Sequence, residues 1–418
     1  MNRTGFDAIL VGGGASGMMA AITAAEQGCR VLLLEKNDRP GRKLYITGKG
    51  RCNLTNDCPA QTVLENVPTN PKFLYSAMHA FPPQRTMEFF TALGCPLKVE
   101  RGRRVFPVSD RAADVIDALW NRCRALGVEY RSCTVDRILL KDGAAVGVAT
   151  GAGEFFAPAV LLASGGASYP RTGSTGDGYR MAQAVGHTVT PLTGSLVPLE
   201  EEGSLCRQLS GLTLKNVGVR LQNAAGKTVY EDFGEAEFTD FGLSGPTILS
   251  CSAHMGGKTG FTVLFDLKPA RDEATIDAKL LRLFQEDGIH SLTAVLNRML
   301  PRQLVSPVLH LAELPVSQQT DTLPREGRRR LIGVLKRFPV PIRGKRPIEE
   351  AIVTSGGVSV REVDPGTMRS KLVPGLYLAG ELLDLDAYTG GFNLQIAWAT
   401  GHAAGAAIAA AKKERETI

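Results

Sequence analysis

The chain has 418 residues, enough for two or three domains of roughly 100–200 residues each. Hydrophobic residues make up 44% and charged residues 22%, which excludes a disordered chain, a coiled coil and a disulfide mini-scaffold. The formal charge of +6 admits an anionic partner but is unevenly placed: residues 325–346 hold nine lysines and arginines against one acid, Glu326, so the rest of the chain sums to about −2.

Residues 8–11, AILV, form a continuous apolar run, as expected of a parallel strand buried on both faces. It leads into Gly12-Gly13-Gly14-Ala15-Ser16-Gly17, a G-x-G-x-x-G, then a helical stretch and a second apolar strand, 31–34, that ends in Glu35. Gly12 permits the tight turn, Gly14 admits a pyrophosphate to the backbone, and Gly17 lets helix and strand pack closely. The N–H groups at Ala15 and Ser16 open the helix towards phosphate, and Glu35 is placed to accept hydrogen bonds from the adenosine ribose. Strand, glycines, helix and terminal acid together predict a dinucleotide site.

The following loop favours FAD over NAD. Residues 39–55, RPGRKLYITGKGRCNLT, hold Arg39, Arg42, Lys43, Lys49 and Arg51 without an acid, and Gly41, Gly48 and Gly50 punctuate them. Such a loop can wrap an extended anionic cofactor and stabilise a reduced flavin. Residues 128–149 read as strand, turn and strand, and 160–163 as a buried strand closing on Ser164-Gly165-Gly166. After residue 184 the pattern turns to β at 217–221, 229–233 and 260–266, then to helices at 273–286, 292–314 and 325–337, and returns to strand from 338 to 363. Residues 375–381, GLYLAGE, repeat a strand followed by an acid-bearing turn, Gly380-Glu381. Gly390-Gly391-Phe392-Asn393-Leu394 then starts an alanine-rich helix that reads as buried rather than membrane-spanning. The predicted fold is α/β: a Rossmann-like FAD-binding domain (1–190 and 362–418) with an inserted β-rich substrate domain (191–270 and 338–361), itself carrying a helical insert (271–337).

The N-terminal unit and the GLYLAGE strand resemble the glutathione-reductase-type FAD superfamily. Three further stretches, GRKLYITGKGRCNLTN (41–56), FTDFGLSGPTIL (238–249) and YTGGFNLQIAWATG (388–401), resemble the HI-0933-like, or BaiN/RdsA, family of bacterial NAD(P)/FAD-dependent oxidoreductases. The similarity runs from about residue 5 to residue 410. It implies non-covalent FAD, a β-rich middle domain and a small helical insert. The activities it implies are reduction of ring double bonds in 3-oxo bile-acid intermediates, or oxidation of aminoacetone with release of hydrogen peroxide. The family commonly has histidine where this chain has Asp240. Cofactor contacts are expected at Gly12, Gly14, Ala15, Ser16, Gly17, Glu35, Lys36, Arg42, Lys43, Gly48, Gly50, Arg51, Cys52, Asn53, Val135, Ser164, Gly165, Gly166, Gly380, Glu381, Gly391, Phe392, Asn393 and Leu394.

No second G-x-G-x-x-G follows a strand, so NAD(P)H is expected as a transient donor at the exposed flavin face. The candidates for proton transfer are Lys49, Asn53, Asp240 and Tyr388. Asp240, beside Thr239, either faces substrate or caps the helix that begins near Ser244-Gly245-Pro246; His402 reads as a core histidine. Cys52 and Cys58 stand six apart, which argues against a redox dithiol, and the scattered cysteines form no C-x-x-C pair or metal cluster. With no signal peptide expected ahead of the first strand, the chain reads as a cytoplasmic monomer or homodimer acting on a small molecule, without metal, membrane or nucleic acid. The basic 325–346 segment reads as a solvated face or the rim of a pocket for acidic substrates. The competing reading is an RNA-associated flavoprotein that uses Arg328, Arg329 and Arg330, although Phe338 is the segment's one aromatic.

Overall fold

The computed structural model describes residues 5–286 and 290–417, which form two compact units. The first runs up to Ser195 and resumes at Ile348; the second is Leu196–Pro347. In the first, five parallel strands lie in the order Leu376–Leu378, Val160–Leu162, Ala8–Val11, Val31–Glu35, Glu129–Ser132. Their AILV, VLLL and VLL runs are buried on both faces, which explains the absence of period-two alternation. Helix Ala15–Glu26 crosses the C-terminal helix Phe392–Thr417 at close range. A Cβ on Gly401 would lie 2.4 Å from the Ser16 carbonyl oxygen, and one on Gly405 2.6 Å from that of Ala20. The small residues that gave the last helix its bland alanine-rich look are therefore its packing surface.

The second unit is a closed barrel of six antiparallel strands: Leu199–Glu201, Gly242–Ser244, Thr228–Phe238, Thr213–Gln222, Phe261–Asp266 and Phe338–Lys345. Four helices, Glu273–Phe284, Leu292–Asn297, Arg302–Leu311 and Arg325–Lys336, intervene between its last two strands in sequence. Their Leu280, Leu304 and Leu331 share one hydrophobic cluster with barrel residues Phe238, Phe265 and Phe338. The 271–337 segment is thus packed as part of the barrel unit and not as a third body. Residues 348–361, expected in the β-rich domain, lie in the first unit because Val353–Ser355 pairs antiparallel with Thr193–Ser195.

The basic segment differs from its sequence reading. Arg328 pairs with Asp277 at 2.5 Å, Lys336 with Asp266 at 2.5 Å, Arg337 with Glu273 at 3.2 Å and Arg346 with Glu200 at 2.8 Å. Arg329 meets Glu326 at 3.4 Å and Arg330 meets Glu313 at 3.6 Å. Most of the local excess is met by acids from elsewhere in the barrel unit, which a linear charge count does not register. Among the described residues no helix is long and apolar enough to cross a membrane.

In the first unit His187 is fully enclosed, with Nδ1 3.1 Å from Glu362 Oε2 and Nε2 2.8 Å from Ser370 Oγ. Burial pushes its imidazolium pKa down, against the pull of Glu362. A folded pKa below the unfolded value of about 6.5 means that the neutral ring's contribution is intact above pH ~6.5 and is lost as pH falls through that value. The thermal midpoint is therefore expected to drop between pH 6.5 and 5, and His187→Gln to flatten that limb of the profile in calorimetry. An identical acid limb in the variant would show that His187 is not its source.

Candidate cofactor site

The carboxyl ends of three parallel strands converge at Gly12, Ala163-Ser164 and Gly380. Ala163 N–H donates to Val11 O at 2.8 Å, and Ala379 N–H to Leu162 O at 3.1 Å. A Cβ on Gly17 would lie 1.9 Å from Gly12 O, so that glycine is required by the protein's own packing. Gly14 is different. It sits at the helix N-cap with φ −82° and ψ −165°, no side chain caps the helix there, and a Cβ on it would meet nothing within 4 Å. An uncapped helix start facing open space fits a pyrophosphate, and the fit is supplied by room that no protein atom fills.

Glu35 lies beside this turn. Its Oε2 accepts from Gly13 N at 2.8 Å, and its Oε1 accepts from Asn37 N at 2.9 Å and Asn37 Nδ2 at 2.7 Å. These bonds fix the carboxylate and occupy both lone pairs of Oε1, while Oε2 keeps one for a further donor such as a ribose hydroxyl. Val135 begins a separate antiparallel strand, Val135–Lys141. Cys133, two residues earlier, donates its N–H to Glu35 O at 2.8 Å, so that strand begins close to the end of the Glu35 strand. Ser164 Oγ is buried without a hydrogen-bond partner among the described residues. Such an orphan hydroxyl beside the glycine turn suits a ligand contact.

The basic loop is less free than expected. Lys43 Nζ donates to Glu381 Oε2 at 2.7 Å and to Ser168 Oγ at 2.8 Å. Arg51 pairs with Glu100 and Asp110, each at 2.5 Å, and lies 4.2 Å from the Phe106 ring centre. Lys36 bridges Thr175 and Asp177, and Arg42 donates to Asn37 Oδ1 at 3.2 Å. The compensating acids stand tens to hundreds of residues away in sequence, so the loop read alone overstates the positive charge offered to a cofactor. Lys49 is exposed, at φ 59°, and carries no ion pair among the described residues.

Several glycines and amides serve the fold directly. A Cβ on Gly166 would lie 2.4 Å from Thr354 Oγ1, and one on Gly391 2.3 Å from Thr55 O. Gly48 and Gly50 carry φ 57° and 84° in the basic loop. Asn53, with its amide turned to satisfy its neighbours, donates to Thr55 O at 3.0 Å and Val105 O at 3.2 Å and accepts from Gly391 N at 3.0 Å. Asn393 accepts from Ala387 N at 2.9 Å and donates to Ala387 O at 2.7 Å, clamping the segment that carries Tyr388. Phe392 and Leu394 occupy the first turn of the C-terminal helix. Burial raises the Cys52 thiol to about 12 and the Cys58 thiol to about 11, and the eight cysteines are unpaired. Neither thiol is poised for dithiol chemistry.

Asp240 is exposed in the barrel unit, in the turn where Thr239 N donates to Gly242 O at 2.8 Å. The helix Pro246–Ser252 has Gly245 at its N-cap, and among the described residues Asp240 makes no hydrogen bond to its first turn, so the structure gives no support to the capping role considered for it. His402 is half-buried and stacks on Phe81 with ring centres 4.7 Å apart; burial pushes its imidazolium pKa down, and its Nδ1 has no hydrogen-bond partner among the described residues, unlike a satisfied core histidine. Sequence reading missed Gln395. Fully buried, it donates to Phe81 O at 2.8 Å and accepts from the hydroxyls of Thr55 at 2.6 Å and Thr86 at 2.8 Å. A glutamine inside an apolar helix was the one available signal.

A parallel Rossmann sheet with an open helix N-terminus at Gly14, together with the family match and the relative below, makes this a FAD-dependent oxidoreductase. The chain belongs to the HI0933-like family, whose Rossmann-domain description matches residues 6–407. It is 33% identical to the 3-dehydro-bile acid delta(4,6)-reductase of Clostridium scindens, over 98% of this chain and 99% of that protein. It is also 30% identical to the ribosomal RNA dihydrouridine synthase of Escherichia coli, over 97% of this chain and 99% of that one. Among solved structures, the 3-ketosteroid delta1-dehydrogenase of Sterolibacterium denitrificans shares the fold, with a TM-score of 0.52 at 14% identity, covering 97% of this chain and 99% of that one.

Proposed function

We propose that the protein reduces a ring C=C bond conjugated to a carbonyl, with NAD(P)H as the electron source. The observation that carries this reading is that two full-length relatives, at 33% and 30% identity, bear names for different substrates but one kind of chemistry. A 3-oxo steroid enone and the uracil ring both present C=C–C=O. In either, hydride adds to the carbon β to the carbonyl, a proton adds to the α carbon, and negative charge develops on the carbonyl oxygen in between. Bound FAD supplies the two-electron relay between the nicotinamide and that double bond.

The chain's own residues do the rest. Gly12, Gly14, Ala15, Ser16 and Gly17 are assigned to the pyrophosphate, Glu35 to the ribose, and the start of the C-terminal helix at Gly391 and Phe392 to the electron-rich edge of the flavin ring. Lys43 and Glu381 hold their loops together as a pair instead of lending a free charge. Of the four candidates for proton transfer, Asn53 has its amide committed to backbone partners, which leaves Lys49, Asp240 and Tyr388. Tyr388 is our choice for delivering the α proton, because its backbone is anchored at Asn66 O, 3.0 Å away, beside the helix start. Tyr388→Phe is expected to slow substrate reduction about 10²-fold while leaving NADH bleaching of the flavin unchanged, measured by the two half-reactions in stopped flow. Substrate reduction at the wild-type rate in the variant would remove Tyr388 from the proton path.

The 3-oxo steroid-like substrate is favoured by the first relative, and uridine within ribosomal RNA by the second. Offering each to the reduced holoenzyme without oxygen tests the reading, since only a substrate carrying the conjugated bond restores the oxidised flavin spectrum.

A further inference from the structure

The antiparallel hairpin Leu97–Glu100 and Arg104–Pro107 turns through Arg101-Gly102-Arg103, and its tip is strongly basic. Arg101, Arg103 and Arg104 are exposed, as is Lys49 in the neighbouring loop, and none of the four has an ion pair among the described residues. The contrast with the barrel unit's basic helix is direct, since there the arginines are matched by Asp277, Glu326 and Glu313.

The tip is also fastened to the cofactor site. Asn56 Nδ2 lies 3.0 Å from both Gly102 O and Gly390 O, so one amide joins the tip to the turn ahead of the C-terminal helix. Asp57 N donates to Arg103 O at 2.7 Å. Phe106 is a common neighbour of both loops: a Cβ on Gly48 would lie 3.4 Å from its ring, and the Arg104 guanidinium is 5.8 Å from its centre. Lys49, Gly102 and Arg103 take φ of 59°, 75° and 56°, which gives both loops a fixed, sharply turned backbone. Four residues before Lys49, Tyr45 is 60% exposed, and Ile46 beside it is 40% exposed, so the same loop that carries Lys49 also presents an aromatic ring to solvent.

Uncompensated arginines with an exposed aromatic are the two elements of single-strand nucleic-acid binding: charge for phosphate and a π-face for a base. We propose that the Arg101, Arg103 and Arg104 tip, with Lys49 and Tyr45, is a phosphate-backbone clamp that holds single-stranded RNA beside the flavin so that an unstacked uracil can reach it. This deepens the uridine reading given above and rests on it. The basic residues at 325–346 are not the RNA surface.

The test is fluorescence anisotropy of a labelled 12-nucleotide oligouridylate with the FAD-loaded enzyme, titrated between 50 and 200 mM NaCl. The combined variant Arg101→Gln, Arg103→Asn and Arg104→Gln keeps a residue suited to positive φ at position 103 and alters exposed side chains only. Three lost phosphate contacts should make the log–log salt slope shallower by about 2 and weaken binding about 10-fold at 100 mM salt. Arg328→Gln, Arg329→Gln and Arg330→Gln together should change neither, and NADH should bleach the flavin equally in all three proteins. A wild-type protein that does not bind the oligomer, an unchanged slope in the hairpin variant, or a loss seen only in the helix variant overturns the clamp. A protein that binds as expected but whose reduced flavin is reoxidised by no conjugated C=C keeps the clamp and refutes the reductase.

Discussion

Gly14→Val is expected to give a folded, colourless protein. Its backbone, at φ −82° and ψ −165°, is extended and open to any L residue, and the added side chain meets no protein atom within 4 Å of its Cβ. The space it fills is the space assigned to the pyrophosphate, so FAD affinity should fall at least ~100-fold, equivalent to roughly 3 kcal/mol, with circular dichroism and thermal midpoint of the apoprotein unchanged. Gly17→Ala provides the contrast. Its Cβ would sit 1.9 Å from Gly12 O, so it should damage the apoprotein itself. Stoichiometric FAD bound to Gly14→Val would show that the cofactor does not cross this helix start.

Gln395→Leu should be strongly destabilising without introducing any backbone clash. The side chain is fully buried, and its loss leaves the Thr55 and Thr86 hydroxyls and the Phe81 carbonyl with their hydrogen bonds unmade. Each such group costs about 1–3 kcal/mol, and Thr86 keeps a long contact to Pro82 O at 3.4 Å, so a total near 3 kcal/mol is expected in urea unfolding of the FAD-loaded protein. Because Thr55 O also packs against Gly391, FAD release should quicken in the same variant. A loss below about 1 kcal/mol would mean that water or a shifted helix replaces the network.

The dinucleotide half of the site was legible because its parts are contiguous. Strand, glycine turn, helix and Glu35 occupy less than one-tenth of the chain, and local periodicity and spacing carry their meaning. The resemblance of the 41–56 and 388–401 stretches supplied the family. What stayed hidden depends on distant partners. Lys43 looked like free charge because Glu381 is 338 residues away, and Arg51 because Glu100 comes from a later hairpin and Asp110 from the turn that follows it. The same holds for the 325–346 segment, whose acids lie on other elements of its unit. Barrel closure was equally out of reach, since it joins Leu199–Glu201 to Phe338–Lys345 across more than a hundred residues. The basic hairpin tip was equally hidden, since three arginines within residues 101–104 read as an ordinary exposed turn, and what sets them apart is that Glu100 and Asp110 are taken by Arg51 and Lys98.

The most direct test of the central claim is anaerobic stopped flow with the FAD-loaded enzyme, reduced by one equivalent of NADPH or NADH and then mixed in turn with a 3-oxo-4-ene steroid, a uridine-containing RNA and aminoacetone. The account predicts that the nicotinamide bleaches the flavin and that a conjugated C=C substrate restores its colour without oxygen, with the saturated ring as product. Flavin that the nicotinamide leaves oxidised, aminoacetone reduces, and oxygen reoxidises with release of peroxide would contradict it.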